Sequence, residues 1–173
     1  FKKNKNIVKN DGVKILTTKN SLIIKKQVDI VKFPGYKNGD WWIQDFSSML
    51  PLFLINNFKN KSVVDMCSAP GGKSFQLLDY GASLISYEKN KVRANIFIKN
   101  LKRLNYNTQI VIKDSLTISN KKKFDIVIVD APSTSIGTIR RNPEIFFRKH
   151  PPDFNKITLL QTKLLEKAKA LVK

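Results

Sequence analysis

The sequence has few residues that could support redox or metal chemistry. Among its 173 residues there is a single cysteine, Cys67, and a single histidine, His150. One cysteine excludes an internal disulfide framework, and these two side chains do not form a cluster with the spacing of a zinc site. The sequence therefore predicts neither a disulfide-stabilised fold nor a metalloenzyme.

Long apolar stretches are also absent. The sequence contains no run of about 18 apolar residues, and its polar first residues are not followed by the apolar stretch of a signal peptide. We therefore expect a cytoplasmic protein without a membrane partner. A length of 173 residues with 42% hydrophobic residues predicts one domain with its own core and at most a small appendage.

Acidic residues are scarce relative to basic ones. The chain has 13 Asp and Glu against 32 Lys and Arg, which gives a formal net charge of +19. Such a charge suits a polyanionic partner, because Lys and Arg release the counterions condensed on phosphates. Lysine supplies most of it, however, and an A/T-rich coding sequence would produce the same excess, so both explanations stay open. Arg140, Arg141 and Arg148 are clustered, and this segment is a candidate nucleic-acid contact.

From residue 62 onward, short apolar runs alternate with stretches of helical periodicity. The pattern predicts strands at 62–66, 83–87, 109–112 and 124–129, and helices at 73–80, 91–104 and 154–172. Alternating strands and helices predict an open α/β sheet with right-handed crossovers. Before this region, residues 1–20 are polar, residues 21–31 predict one or two short strands, and a helix should begin near Gln44 and be kinked or divided by Pro51.

The residues after each predicted strand are the candidate binding residues, because ligands bind beyond the carboxyl ends of the strands in open α/β sheets. Small residues and glycines at 67–73 follow the first strand, where the backbone can approach a ligand and helix N–H groups can bind it. Glu88, Asp114 and Asp130 follow the next three strands. An acid after the second strand suits the hydroxyls of a ribose.

Two common nucleotide-binding motifs are excluded. A P-loop would need glycine at the position of Cys67, and the chain contains no G-x-G-x-x-G. Acidic strand ends facing a glycine-rich turn suit a nucleoside with a cationic tail better than a triphosphate. S-adenosylmethionine is a ligand of that kind.

Three segments carry a resemblance to a known family. DMCSAPGGKS at residues 65–74 and DAPSTSIGTIRRNPE at residues 130–144 resemble motifs I and IV of the Sun/Fmu (NOL/NOP/Sun) family of RNA cytosine-5 methyltransferases. PGY at 34–36 and WIQDFSS at 42–48 resemble the lead-in to its catalytic domain. The resemblance implies a Rossmann-like S-adenosylmethionine-dependent methyltransferase sheet in residues 33–173, with the first four strands present and later ones missing, and a remnant of an N-terminal RNA-binding region in residues 1–32.

The same resemblance implies methyl transfer to C5 of a cytosine in ribosomal or transfer RNA, and we expect the protein to be a monomer. Asp130 would stabilise the reacting base near N3, Lys73 would orient the base or Asp130, and Arg140 and Arg141 would contact RNA. The implied cofactor-binding residues are Cys67, Ser68, Ala69, Pro70, Gly71, Gly72, Lys73, Glu88, Arg93, Asp114 and Asp130.

The sequence departs from the family pattern at two cysteines. Ser133 stands where motif IV usually has cysteine, and the attacking cysteine of family members lies in a Thr-Cys motif after the strand expected near Lys173. Cys67 is not a substitute, because its position is commonly cysteine in the family's cofactor loop. We expect the nucleophile beyond residue 173, and expect residues 1–173 to bind cofactor without transferring methyl.

Three other functions remain open from the sequence. A truncated or decayed homologue would bind cofactor or RNA without catalysis, as Ser133 suggests. A methyltransferase acting on an exocyclic amine would usually carry an Asn/Asp-Pro-Pro-aromatic motif, which the residues after Asp130 do not match. A structural RNA-binding module would not need acids at three successive strand ends.

Overall fold

The computed structural model describes residues 13–16, 21–24, 29–55, 57–140, 142–147 and 149–173. Its helices and strands are β1 (Val13–Leu16), β2 (Ser21–Ile24), α1 (Phe46–Phe53), β3 (Ser62–Asp65), α2 (Gly72–Asp79), β4 (Ser83–Tyr87), α3 (Lys91–Leu104), β5 (Gln109–Val111), β6 (Ile126–Ile128) and α4 (Phe154–Leu171). β1 and β2 form a separate antiparallel pair. β1 lies where the polar sequence predicted no strand, and most of residues 1–32 lie outside the described residues, so the predicted N-terminal region stays a prediction.

The other four strands form one parallel sheet in the order β5-β4-β3-β6. The chain builds β3, β4 and β5 toward one edge and then places β6 on the other side of β3. The strand order therefore reverses between β3 and β6, which is where ligands bind in such sheets. This arrangement confirms the predicted open α/β fold and its first four strands.

Helices cover both faces of this sheet. Val63 and Val64 are fully buried and point to opposite faces, as successive strand residues must. Val64 packs in a cluster with Leu164 and Leu171 of α4, and Val63 packs in a cluster with helices α1 and α2. Burying one aliphatic side chain of this size contributes about 1.5–3 kcal/mol.

The ends of the elements follow from local sequence signals. Asn90 begins α3, because its side chain accepts the N–H of Arg93 at 3.1 Å, and Asn105 ends it in the left-handed conformation. α4 ends at Leu171, one residue earlier than predicted, because Val172 pairs with Phe124 in an isolated bridge. Phe124 lies outside β6, whose pairing with β3 covers only Ile126–Ile128.

Helix α1 was predicted to be kinked or divided at Pro51. The helix continues through Pro51 to Phe53 and is not divided there. Leu52 is 2% exposed and packs with Phe58 and Val63, and this burial opposes the loss of the hydrogen bond at proline. The N-terminus of α1 is capped by Asp45, whose side chain accepts the N–H of Ser47 at 2.9 Å.

The loop before α1 is attached to the C-terminal half of α3. Arg103 donates to the carbonyl oxygens of Tyr36 and Trp41 at 2.8 and 3.1 Å, and its guanidinium lies 4.0 Å from the ring centre of Tyr36. Gly39 has a φ of +68°, and a Cβ there would lie 1.8 Å from the carbonyl oxygen of Arg103. The close approach of the two backbones explains why residue 39 is glycine.

Candidate cofactor and substrate site

A cavity of about 390 Å³ opens at the carboxyl ends of the parallel strands. It brings together five of the implied cofactor-binding residues, which are Cys67, Glu88, Arg93, Asp114 and Asp130. Pro132 and Ser133, in the segment after β6, line the same cavity. Its volume is within the range of about 300–1,000 Å³ typical of small-molecule sites. We call it the first cavity.

The turn between β3 and α2 is stabilised by hydrogen bonds to the carboxylate of Asp65. Its carboxylate is 1% exposed and accepts the hydroxyl of Ser74 at 2.7 Å and the N–H of Cys67 at 3.2 Å. Burial raises the pKa of Asp65 to about 6, although these two hydrogen bonds lower it. The sequence reasoning did not single out Asp65 or Ser74 as site residues. The available signal was an acid at the end of β3, directly before the glycine-rich turn.

Gly71 has to be glycine in this turn. Its φ is +116°, and a Cβ there would lie 2.3 Å from Phe75 and 2.5 Å from Phe97. It precedes α2, whose first turn has no capping side chain. The N–H groups at this helix end are therefore available to an anionic or hydroxyl group of a ligand.

Most side chains of the turn point away from the first cavity. Ser68 donates to the carbonyl of Tyr87 at 3.1 Å, and Ala69 is 3% exposed in a cluster with Phe75 and Phe97. Pro70 is exposed, and Gly72 faces the side chain of Gln44. Among residues 67–73, only Cys67 lines this cavity. The other predicted cofactor-binding residues of the turn therefore do not line the first cavity, with either side chain or backbone.

Glu88 is a buried carboxylate directly after β4. It is 5% exposed, and its Oε1 accepts the N–H of Asn90 at 2.9 Å. Its Oε2 lies 3.8 Å from Nη1 of Arg93, and Nη2 of the same guanidinium donates to the carbonyl of Ala69. Arg93 therefore connects the end of β4 to the glycine-rich turn, and Glu88 keeps acceptor capacity toward the cavity.

Asp114 occupies the end of β5. One oxygen accepts the N–H of Leu116 at 3.0 Å, and the other lies 3.9 Å from Nζ of Lys89. Lys89 also lines the first cavity and was not singled out from the sequence. The carboxylate of Asp114 is 40% exposed, so it can accept a further hydrogen bond from a ligand.

Asp130 and Lys73 form an ion pair between β6 and α2. Nζ of Lys73 lies 2.7 Å from Oδ2 of Asp130, with 17% and 57% of the two side chains exposed. Lys73 does not line the first cavity. It lines a second cavity of about 340 Å³, and Asp130 borders both cavities.

The single thiol is a weak nucleophile. Burial, with added effects of the carboxylates of Asp65, Glu88 and Asp130, raises the pKa of Cys67 to about 11. The thiol is therefore almost wholly protonated at neutral pH, whereas attack requires the thiolate. Ser133 is exposed, and its hydroxyl accepts the N–H of Ser135 at 3.2 Å.

The basic segment predicted to contact RNA is only partly described. Arg140 is exposed and does not line the first cavity. Arg141 and Arg148 lie outside the described residues, so their role stays a prediction. In the part of the chain that the structure describes, no group of three His, Cys, Asp or Glu side chains is placed to hold a metal ion.

Comparison with known proteins identifies the family. The family described as 16S rRNA methyltransferase RsmB/F matches residues 52–173. The chain belongs to this family. Ribosomal RNA small subunit methyltransferase B of Cronobacter sakazakii is 30% identical over 138 residues, covering 77% of the chain and 32% of that relative. The probable ribosomal RNA small subunit methyltransferase B of Coxiella burnetii is 29% identical over 151 residues, covering 82% and 35%. The chain thus spans about a third of the length of these relatives.

Solved structures show the same fold. The crystal structure of PH0851 has a TM-score of 0.83 and 28% identity, and the match covers 94% of the chain and 39% of that protein. A methyltransferase homologue from Pyrococcus horikoshii has a TM-score of 0.68 and 28% identity, covering 86% and 48%. These likenesses confirm the Rossmann-like methyltransferase fold. Among the described residues, no helix has the length and apolar character to span a membrane.

S-adenosylmethionine is the cofactor of this methyltransferase family. The first cavity fits it, because the buried carboxylate of Glu88 can accept from ribose hydroxyls and the exposed oxygen of Asp114 can accept from an exocyclic amine. The uncapped N-terminus of α2 suits a carboxylate, but Gly72 and Lys73 in its first turn do not line the first cavity.

Proposed function

We propose that the chain carries the cofactor half of an enzyme that methylates C5 of a cytosine in ribosomal or transfer RNA. The observation that supports this most is the convergence of Glu88, Asp114 and Asp130 on one cavity at the strand ends. Family membership supports methylation of RNA, and the residues after β6 resemble motif IV of the cytosine-5 enzymes. The proposal includes a cytoplasmic monomer with RNA as its partner.

The cofactor supplies an electrophilic methyl group when bound. The chain's own residues would hold it: Glu88 would accept from the ribose hydroxyls, Asp114 would accept from the adenine amine, and the N-terminus of α2 would donate to the carboxylate. Arg93 contacts both Glu88 and the carbonyl of Ala69, and so fixes the position of Glu88 relative to the glycine-rich turn. Asp130 and Pro132 line the same cavity, so a cofactor held by these residues would have them beside it.

The Lys73–Asp130 pair is suited to bind the target base. C5 of cytosine is a poor nucleophile until a thiolate has added to C6, which places negative charge on the ring near N3. Lys73 brings a positive charge 2.7 Å from Asp130, and Asp130 is exposed enough to reach a ligand. The pair can therefore offer the ring one donor and one acceptor, and the charge of Lys73 stabilises the adduct.

The attacking thiolate is proposed to come from a cysteine outside these 173 residues. The raised pKa of Cys67 supports this, since its thiol is protonated near neutral pH. A serine such as Ser133 is far less acidic than a thiol and has no neighbouring histidine in its motif. Residues 1–173 should accordingly bind cofactor and transfer no methyl group.

A second function, cofactor and RNA binding without catalysis, is favoured by one observation. Ser133 lies at the mouth of the first cavity, where motif IV of the family usually supplies the cysteine that assists product release. Adding the expected Thr-Cys segment to the chain separates the two functions. The methyltransferase function predicts methyl transfer to unmodified RNA by the extended chain, and the binding function predicts no transfer.

The cofactor site itself can be tested by calorimetric titration with S-adenosylmethionine. Glu88→Ala should weaken binding by roughly 1.5–3 kcal/mol, because a buried acceptor for the ribose is lost. Glu166→Ala removes an exposed carboxylate on α4 and should bind as the wild type does. Equal affinity of the wild type and Glu88→Ala would remove Glu88 from the site.

A further inference from the structure

The two ends of the parallel strands differ in charge. Three carboxylates and two lysines lie in the segments directly after the strands, which are residues 66–72, 88–90, 112–115 and 129–132. At the opposite ends, residues 57–62 and 119–125 lead into β3 and β6, and residues 167–173 end α4. These three segments contain eight lysines and one carboxylate. A lysine excess caused by coding composition alone does not predict that the acids are confined to one end.

The three lysine-rich segments are hydrogen-bonded to one another. The N–H of Asp125 donates to the carbonyl oxygen of Ser62 at 2.9 Å, which joins the segments before β3 and β6. Nζ of Lys123 donates to the carbonyl oxygen of Ala170 at 2.7 Å, beside the bridge that joins the segment before β6 to the end of α4. The three segments therefore form one surface, which we call the amino-end patch.

The single carboxylate of the amino-end patch is paired within it. Oδ1 of Asp125 lies 2.8 Å from Nζ of Lys173, and Oδ2 accepts the N–H and the hydroxyl of Ser62 at 2.8 and 2.6 Å. The hydrogen bond from Lys173, together with those from Ser62, holds the pKa of Asp125 well below its ordinary value. Seven of the eight lysines are exposed. The patch therefore presents a strong positive charge to the solvent.

The composition of the amino-end patch favours the phosphates of a paired RNA. Its segments contain no arginine, and their two aromatic side chains, Phe58 and Phe124, are 3% and 6% exposed. Unpaired bases are bound mainly by stacking on exposed aromatic rings or arginine, and protein partners are anchored mainly by buried aromatic and arginine side chains. The patch instead offers several ammonium groups, which suit a row of phosphates whose bases are paired.

We propose that the amino-end patch binds the phosphate backbone of a double-stranded RNA segment, separate from the strand that carries the target cytosine. The inference rests on the proposed function. The four residues of β3, at about 3.3 Å each, separate the patch from the first cavity by roughly 13 Å, and the loops at both ends add to this distance. The lysines of the patch, Lys121 and Lys122 included, should thus contribute to binding of a duplex and not of a short single strand at the first cavity.

The test measures the binding of two RNAs by fluorescence anisotropy at several salt concentrations. One is a duplex of about 16 base pairs, and the other is a single strand of about six nucleotides with one cytosine. Replacing Lys59 and Lys61 by glutamine should weaken duplex binding about 3- to 10-fold and flatten its salt dependence by about one to two units of slope. The affinities for the single strand and for S-adenosylmethionine should stay at the wild-type values.

Replacing Lys91 and Lys99 by glutamine is the matched control. Both lysines are exposed on α3 outside the three segments, so the change removes the same charge and should keep the wild-type affinity and salt slope for the duplex. If the variant of Lys59 and Lys61 does not fold, glutamine at Lys121 and Lys122 removes two charges from the same patch. Equal losses in the patch variant and the control would overturn the inference, because the charge would then act diffusely.

Three further outcomes are decisive. Displacement of the duplex by the single strand would overturn the inference, since both RNAs would then occupy one surface. Tighter binding of polyglutamate than of the duplex would assign the amino-end patch to an acidic protein and would also overturn it. A wild type that binds the single strand and not the duplex would overturn the inference and leave the proposed function intact, whereas a wild type that binds neither RNA would refute both.

Discussion

The segments that follow β3 and β6 begin at neighbouring strand ends and are built in opposite ways. After β3, the carboxylate of Asp65 is 1% exposed and holds the turn by two hydrogen bonds, and Gly71 is enclosed by Phe75 and Phe97. After β6, Asp130 is 57% exposed, and a Cβ on Gly137 would meet nothing within 4 Å. The first segment is shaped to hold a small ligand in one geometry. The second leaves room for a large partner to approach.

The largest expected effect that tests this contrast comes from the two glycines. Gly71→Ala should lower the free energy of unfolding by roughly 3 kcal/mol and abolish cofactor binding, because its Cβ would clash with two buried rings at a positive φ. Gly137→Ala should change both quantities little. Denaturant unfolding measures the change in stability of each variant, and calorimetry measures the change in cofactor affinity. Equal changes in the two variants would show that the two segments are packed alike.

The second test concerns the buried carboxylate. Since the pKa of Asp65 is raised to about 6, the folded chain keeps a proton between about pH 4 and pH 6 that the unfolded chain has released. The stability from this proton is complete below about pH 4 and is lost as pH rises through about 6. Asp65→Asn does not titrate, and its charged neighbours Lys73 and Asp130 are unchanged. From about pH 4 to pH 7, the wild type should therefore lose up to about 3 kcal/mol relative to Asp65→Asn.

Unfolding by urea at several pH values decides this prediction. Parallel pH profiles of the wild type and Asp65→Asn would mean that the carboxylate is ionised over the whole range in the folded chain. The packed segment would then contain a stable buried charge, and its contrast with the open segment after β6 would be weaker.

The smallest expected effect lies in the open segment. Replacing Arg140 and Arg141 together by alanine should weaken RNA binding several-fold and flatten its dependence on salt by roughly one to two units of slope, as expected for lost phosphate contacts. Replacing Lys121 and Lys122, which are exposed in the turn before β6, removes the same charge elsewhere. An equal loss in both double variants would show that the positive charge acts diffusely.

The sequence predicted the regular elements well where local signals decide them. β4 and α3 have the predicted bounds, because Asn90 caps the helix and its apolar residues recur at helical spacing. The positions of Glu88, Asp114 and Asp130 followed from the same alternation of strands and helices. Local patterns were therefore enough to locate the strand ends and the acids that follow them.

Features that depend on distant contacts were not predictable from local patterns. The burial of Asp65 under the turn and the second cavity both depend on how α1, α2 and β6 pack together. The Lys73–Asp130 contact joins residues 57 positions apart. β1 was missed because its residues lie in a polar, lysine-rich stretch, and β6 is shorter than its apolar run because its pairing with β3 covers only Ile126–Ile128.

The central claim, that the first cavity is the cofactor site and Cys67 lines it without acting as nucleophile, can be tested on the single thiol of the chain. The measurement is the rate of Cys67 alkylation by N-ethylmaleimide, with and without S-adenosylhomocysteine. With a pKa raised to about 11, the thiol should react slowly near neutral pH and progressively faster as pH rises toward that value. S-adenosylhomocysteine should slow the reaction of the wild type further, up to a saturating limit. The same concentrations should not slow the reaction of Glu88→Ala. Fast alkylation at neutral pH that the ligand leaves unchanged would contradict both parts of the claim.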